Sequence, residues 1–502
     1  MQNTSAARDA AMTTFLFLLV CLAFLAVGIW AARRESVDSQ GAGDLINARR
    51  RLPTWMACLT LAATWIGGGY INGTAEATYD STRGLVWCQA PWCYALSLIV
   101  GGLVFAKPMR ERGYRTMLDL FEQRHGTRIA AALFVPAVIG DLFWTSAILA
   151  ALGGTLGELF QIDVRLAICL SMGIVVAYTV WGGLWSVACS DILQLACIVF
   201  GLAITVAPAL RVAGGWTQMS SDYVAKFGDQ ARLLPQLNAW WGSDPWAWQW
   251  LDSALLLILG GVPWQVYFQR ILACRTSRTA MSMSVIAGFI CLIVAVPPAV
   301  LGAVGATLDW SALAATPPAE PAAILPHLLR YALPASLSLL GLLAILAAVM
   351  SSMDSSILSS ASLFAWNVYR PLARVPDADP SIQRILRGAI VAMGCLAILL
   401  ALEVESVYQL WYLSADLVYV ILFPQLVTSL FLHSVTPRGA VAGAVVAVLM
   451  RATLFAAATE QGARMLATVD WPVPLRYAPW LTLAMLCSLS TIVVVSRMRS
   501  RA

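Results

Sequence analysis

Apolar residues in this chain gather into long unbroken runs, with polar residues collected between them, rather than alternating at the period of a surface strand or a one-sided helix. A helix crossing a hydrocarbon core of about 30 Å needs roughly 20 apolar residues. Thirteen runs meet that need, at 12–31, 53–80, 86–106, 129–155, 164–182, 187–211, 249–270, 282–307, 331–368, 383–403, 406–432, 438–459 and 478–496. The pattern predicts an all-α polytopic membrane protein with 13 transmembrane helices, one integral domain filling 1–502. Composition agrees: 60% of residues are hydrophobic, only 12% are charged, and the mean hydropathy is +0.75. A soluble chain of this length would carry more surface charge.

Basic residues are retained on the cytoplasmic face. The connections 32–51, 107–128, 270–278, 370–387 and 433–438 and the tail after Ser496 hold 22 of the 32 Lys and Arg. These segments are therefore expected inside, with the C-terminus. An odd helix count then puts the N-terminus outside, together with the polar loops 212–248 and 308–330. This bias accounts for the net charge of +5 and leaves no argument for nucleic acid. The opening MQNTSAARDAAM lacks a basic n-region and no small-residue cleavage site follows, so the first helix is expected to be retained.

Two runs are interrupted. In WIGGGYINGTAEATY, Gly67, Gly68 and Gly69 would each cost a helix about 1 kcal/mol relative to Ala. Irregular backbone at membrane depth is tolerated only where it is packed in protein or lines a cavity. Close small-residue packing is the alternative. In LDSALLLILGGVPWQVYFQR, Gly260, Gly261 and Pro263 interrupt the seventh run just before Trp264, five helices after the first interruption. Paired interruptions at corresponding places mark an inverted-repeat transporter that binds its substrate and ions at unwound backbone. The repeats would be 53–211 and 249–432, with helix 1 and the two helices of 438–496 peripheral.

The ninth run contains VMSSMDSSILSSAS. Ser351, Ser352, Ser355, Ser356, Ser359 and Ser360 recur at spacings of three and four around Asp354, an acid that is costly in hydrocarbon and thus a functional candidate. Hydroxyls and carbonyls are hard oxygen ligands, and sodium suits them better than a softer metal. A packing ridge with serines bonded to their own helix is the alternative. Asp191 either caps the sixth helix or faces its interior. Among twenty tryptophans, Trp65 and Trp264 flank the interruptions, and Trp144 and Trp411 lie near midspan or beside polar residues. Rings facing a cavity would hold a quaternary ammonium, which cannot donate hydrogen bonds, by cation–π attraction; core packing is the alternative for any one of them.

Eleven cysteines lie mostly singly inside runs, where a thiol is an apolar filler, and the three histidines, His125, His327 and His433, are far apart. Neither metal hydrolysis nor histidine-based catalysis has candidates, so no enzyme is expected.

With these residues in view, the chain resembles the sodium:solute symporter family, with its LeuT-type five-plus-five inverted repeat. ATWIGGGYINGTAEATY, GLVWCQAPWCYALSLIVGGLVFAKPMR, WLDSALLLILGGVPWQVYFQR, VMSSMDSSILSSAS and LWYLSADLVYVILFPQL are similar to segments of its high-affinity choline transporters, over about Trp55 to Ala444. The resemblance implies sodium-coupled symport of choline by alternating access. It implies a sodium site formed by the carbonyls of Ala63, Ile66 and Ala348 and the hydroxyls of Ser351 and Ser352. A second sodium site, found in some members, maps to Asp191, Ser351, Asp354 and Ser355. The implied choline cage is Trp65, Tyr94, Trp144, Trp264 and Trp411. Some relatives depend on chloride, for which no motif is found here. The short tail SRMRSRA and an Arg-rich, Lys-poor composition suggest a bacterial inner-membrane homologue without regulated internalisation. Symport of betaine, carnitine or proline, or a non-transporting membrane sensor, are the competing readings. A carboxylate-bearing substrate would call for a basic residue near the breaks, and none is expected there. Glu76, the oligomeric state and the stoichiometry stay unassigned.

Overall fold

The computed structural model describes residues 22–31, 42–160, 163–241, 244–403, 407–458 and 477–499, with Leu19 and Arg33. Among these the chain is helical without a β-strand, and ten helices are long and apolar enough to cross a membrane. The shorter apolar helix Leu22–Ala31 precedes them. One of the ten, Val164–Val212, has 49 residues; at about 1.5 Å per residue it would run roughly 70 Å, more than twice the hydrocarbon thickness. It changes direction at Gly183, where φ is 54° and ψ −159°. A Cβ there would also meet the Leu45 carbonyl at 2.6 Å, so glycine is required twice over. The runs expected at 164–182 and 187–211 thus meet at a kink rather than a loop.

Both expected interruptions are real. The first broken helix is Thr54–Trp65 followed by Gly68–Tyr79, joined through Ile66 (φ −82°, ψ 62°) and an extended Gly67 (φ −86°, ψ −179°). Backbone pairing stops at Ile66 N–H to Ala62 C=O, 2.9 Å, and resumes at Ile71 N–H to Gly67 C=O, 3.0 Å. The glycines serve approach as well as flexibility: a Cβ on Gly67 would overlap the Ser352 hydroxyl, and one on Gly68 would overlap Val349. The second broken helix is Ala247–Gly260 followed by Gln265–Ala273. Pro263 has no N–H to give, and the second half starts from an extended Trp264 (φ −107°, ψ 134°).

The serine helix, Ala335–Leu363, occupies the centre, and every residue from Ala344 to Leu363 is buried. It packs most extensively against Val164–Val212, and further against Thr127–Phe160, Pro380–Ala401 and the first broken helix. A helix surrounded on all sides can be apolar all round, and its serines then face protein instead of lipid. The last two helices, Pro437–Ala458 and Trp480–Arg499, pack on one another at the periphery. Polar ties hold them to the rest: Asp252 accepts the backbone N–H groups of Leu481 (3.0 Å) and Thr482 (2.7 Å), and Arg451 pairs with Asp416.

Candidate ion and substrate site

Where the first broken helix ends its opening half, carbonyls that would have continued the helix turn toward the serine helix. The Ser351 hydroxyl oxygen lies 2.9 Å from the Ala63 carbonyl and 3.0 Å from the Ala348 carbonyl, and Ser352 donates to the Thr64 carbonyl at 2.8 Å. Four of the five expected sodium ligands, Ala63, Ala348, Ser351 and Ser352, therefore meet in one buried place. The fifth, Ile66, stands at the break itself, and its carbonyl accepts no hydrogen bond among the described residues. These are uncharged hard oxygens, converging where helix pairing has lapsed.

The four residues expected of a second sodium site are also neighbours, but an arginine lies among them. Arg270, fully buried, reaches Asp191 (3.3 Å), Ser355 (2.6 Å), the Thr60 hydroxyl (3.2 Å) and the Val266 carbonyl (3.1 Å). Thr60 also donates to Asp191. Asp354 accepts from Tyr178 at 2.7 Å and from Ser355 at 3.1 Å, while Ser351 belongs to the carbonyl cluster above. The guanidinium thus already neutralises Asp191. Asp191 sits within the long helix, well after the Gly183 kink, so it faces the interior and does not cap a helix.

Arg270 corrects one expectation. Charge counting assigns it to the connection 270–278, yet Gln265–Ala273 resumes after the break and carries it into the core as a basic residue on the second broken helix. It faces the carboxylates rather than the aromatic cavity, which has no basic side chain in its lining among the described residues.

That cavity, of ≈ 30 Å³, is lined by Trp65, Gly67, Tyr70, Tyr94, Trp144, Trp264, Val266 and Ser414. Four of the five expected cage residues surround it; the side chain of the fifth, Trp411, lies outside the described residues. Trp144 and Trp264 meet edge to face at 5.6 Å, and Trp65 meets Tyr267 at 6.0 Å. The Trp264 indole donates to the Gly260 carbonyl at 2.7 Å, so the lapse in helix pairing anchors the ring as well. Tyr70, missed by sequence reasoning, donates across the cavity wall to the carbonyls of Cys291 (2.8 Å) and Pro91 (3.2 Å). Ser414 was signalled only by its place in the LSAD segment three residues after Trp411. Glu76 lies on Gly68–Tyr79 away from this lining.

Comparison with known proteins gives these features a context. The sodium:solute symporter family model matches residues 45–447. The High affinity choline transporter 1 of Homo sapiens is 44% identical over 443 residues, covering 86% of this chain and 75% of that protein. The Caenorhabditis elegans High-affinity choline transporter 1 is 39% identical over 506 residues, covering 96% and 84%. A sodium/glucose cotransporter of Vibrio parahaemolyticus is 24% identical over 460 residues, covering 86% and 83%. Among solved structures, a Na+-coupled sialic acid symporter in a substrate-bound outward-open state superposes with a TM-score of 0.78 at 16% identity over 98% of each chain, a likeness of fold.

Proposed function

This chain belongs to the sodium:solute symporter family, and from that premise we propose that it is a sodium-coupled symporter importing choline. One observation carries the reading: the first broken helix offers the Ala63 and Thr64 carbonyls to serine hydroxyls on one side and the ring of Trp65, between them and the break, to an aromatic cavity on the other. A quaternary ammonium forms no hydrogen bonds, so faces of Trp65, Tyr94, Trp144 and Trp264 suit it better than polar side chains would. We include Trp411 in this cage. Sodium would take the carbonyls of Ala63, Ile66 and Ala348 and the hydroxyls of Ser351 and Ser352. Those hydroxyls would then turn their hydrogens away from the carbonyls and give lone pairs to the ion. The set at Asp191, Ser351, Asp354 and Ser355 would accept a second sodium only if Arg270 moved off Ser355.

The transport cycle is alternating access across thirteen spans with the N-terminus outside, repeats at 53–211 and 249–432, and helix 1 and 438–496 peripheral. The setting is a cell membrane, proposed to be a bacterial inner membrane. Both cargo ions are cations, and the membrane potential adds about 2.3 kcal/mol per charge per 100 mV to their entry. Betaine and carnitine carry a carboxylate, and the absence of a basic side chain among the described residues of the cavity lining favours choline over them.

The test is uptake into proteoliposomes with an imposed sodium gradient, comparing choline, betaine, carnitine and proline, with chloride replaced by gluconate in one arm. Choline should be preferred and its uptake should vanish without sodium. Sodium-independent flux would remove the coupling, and preferred proline would remove the cage. Ser352→Ala should raise the half-saturating sodium concentration; an unchanged value would remove the sodium assignment.

A further inference from the structure

Thr127–Phe160 carries one acid inside its apolar run, Asp141, and that carboxyl is buried against the serine helix two turns beyond Ser352. Ser360 donates to its Oδ2 at 2.6 Å and Ser359 to the same atom at 3.1 Å. Ser356 reaches the Asp141 carbonyl at 3.2 Å, and Thr145 lies 2.6 Å from Ser356 and 2.7 Å from the same carbonyl. The other carboxyl oxygen, Oδ1, is fully buried and has no hydrogen-bond partner among the described residues.

Two features together distinguish this cluster from the other buried carboxylates. Asp191 and Asp416 also keep a bare oxygen but are paired with Arg270 and Arg451. Asp354 and Asp252 have no ion pair among the described residues, but both oxygens of each are hydrogen-bonded. Asp141 combines a bare oxygen with no ion pair among the described residues. A buried carboxylate without a counterion is held neutral by a proton or by a bound cation. A proton on Oδ1 would be an O–H with no acceptor, whereas a cation would use that bare oxygen together with the hydroxyls around it. Carboxylate, hydroxyl and carbonyl oxygens are ligands for a hard ion, and a single negative charge balances a monovalent one; a divalent ion would leave a net charge in hydrocarbon.

We propose that Asp141, Thr145, Ser356, Ser359 and Ser360 form a separate monovalent-cation site, occupied by sodium, on the way from the Ser351–Ser352 cluster to the cytoplasm. Ser360 is eight residues along the serine helix from Ser352, or about 12 Å at the helical rise. In the same direction, Asp141 is seven residues, about 10 Å, from Ile148, which packs against Gly67 and Gly68 at the break. With the C-terminal end of the serine helix inside, this direction leads to the cytoplasm. The site rests on the sodium-symport reading but shares no ligand with the site proposed there.

The experiment counts radiolabelled sodium bound per chain at saturation in purified protein, for wild type, Asp141→Asn, Ser352→Ala and the double Ser359→Ala/Ser360→Ala, with choline binding measured in parallel at saturating sodium. Asp141→Asn should bind one sodium fewer while its choline affinity stays within about twofold, and the serine double should raise the half-saturating sodium concentration at least severalfold. An unchanged sodium count in Asp141→Asn overturns the proposal, including when the pH profile of uptake shifts, because the site would then hold a proton. If Asp141→Asn does not fold, unchanged sodium binding in the serine double overturns it instead. A loss in Asp141→Asn with none in Ser352→Ala would keep this site and remove the one at the break.

Discussion

Replacing Trp264 by Leu separates charge recognition from simple burial. Trp264 is only 6% exposed, its ring meets Trp144 edge to face at 5.6 Å in the cavity wall, and its indole N–H is fixed on the Gly260 carbonyl at 2.7 Å. A cation over such a desolvated face gains about 2 kcal/mol from the ring. At about 1.4 kcal/mol per tenfold, Trp264→Leu should weaken choline binding roughly 30-fold. The leucine keeps most of the apolar contact, so the neutral tert-butyl analogue of choline should lose only a few-fold. The assay is competition of both compounds against labelled choline at saturating sodium, on protein shown by size exclusion to be folded. Equal losses for the two ligands would mean that the ring contributes area alone, and no loss for choline would remove Trp264 from the cage.

Gly67→Ala should abolish most sodium-dependent uptake, because the added methyl overlaps the Ser352 hydroxyl and overpacking costs about 1–3 kcal/mol. Gly67→Ala with Ser352→Ala should recover protein stability in part, and wild-type uptake in the single variant would refute the close-approach role. Arg270→Met should lower thermal stability in detergent sharply, since stranding the buried Asp191 charge costs about 3–5 kcal/mol. Arg270→Met/Asp191→Leu should regain much of that loss, and a single variant as stable as wild type would show that the pair is dispensable. His125 lies outside the membrane-spanning helices, on Leu118–His125, buried beside Arg124 with its Nε2 2.8 Å from Ser429. Burial first, and then Arg124, push its pKa down from 6.5 to about 4. The unfolded chain therefore takes up a proton near 6.5 that the folded one refuses, so stability is full above 6.5 and falls as pH drops toward 4. His125→Gln should flatten that part of the melting-temperature profile, and an identical slope would refute the assignment.

The parts of the site that could be read in the sequence are those where a residue type contradicts its surroundings. Three glycines or a Gly-Gly-Val-Pro inside an apolar run are poor helix material, and both breaks fall there. Tryptophans beside those breaks had few other uses, and Trp65 and Trp264 line the cavity. Arg270 was hidden by its neighbours. Arg275 and Arg278 follow it, so a charge count assigns all three to one loop, and only the nine-residue helix resumed after Pro263 brings the first of them inward. Asp141 contradicts its run as plainly as Asp354 does, but its own helix carries only Thr145 and Ser146 beside it and no serine ridge to mark it; the hydroxyls on its carboxyl come from another element. That difference is physical. Local sequence reports the cost of a misplaced residue, whereas the group that offsets the cost lies elsewhere in the chain and only the packing of helices supplies it. At the first break both kinds of information meet. The glycines free the Ala63 and Thr64 carbonyls, the serine helix receives them, and the Trp65 side chain projects from the same turn into the cavity. An ion held at those carbonyls, as proposed, would also hold the ring, so occupancy of one proposed site would set the geometry of the other through a single stretch of backbone.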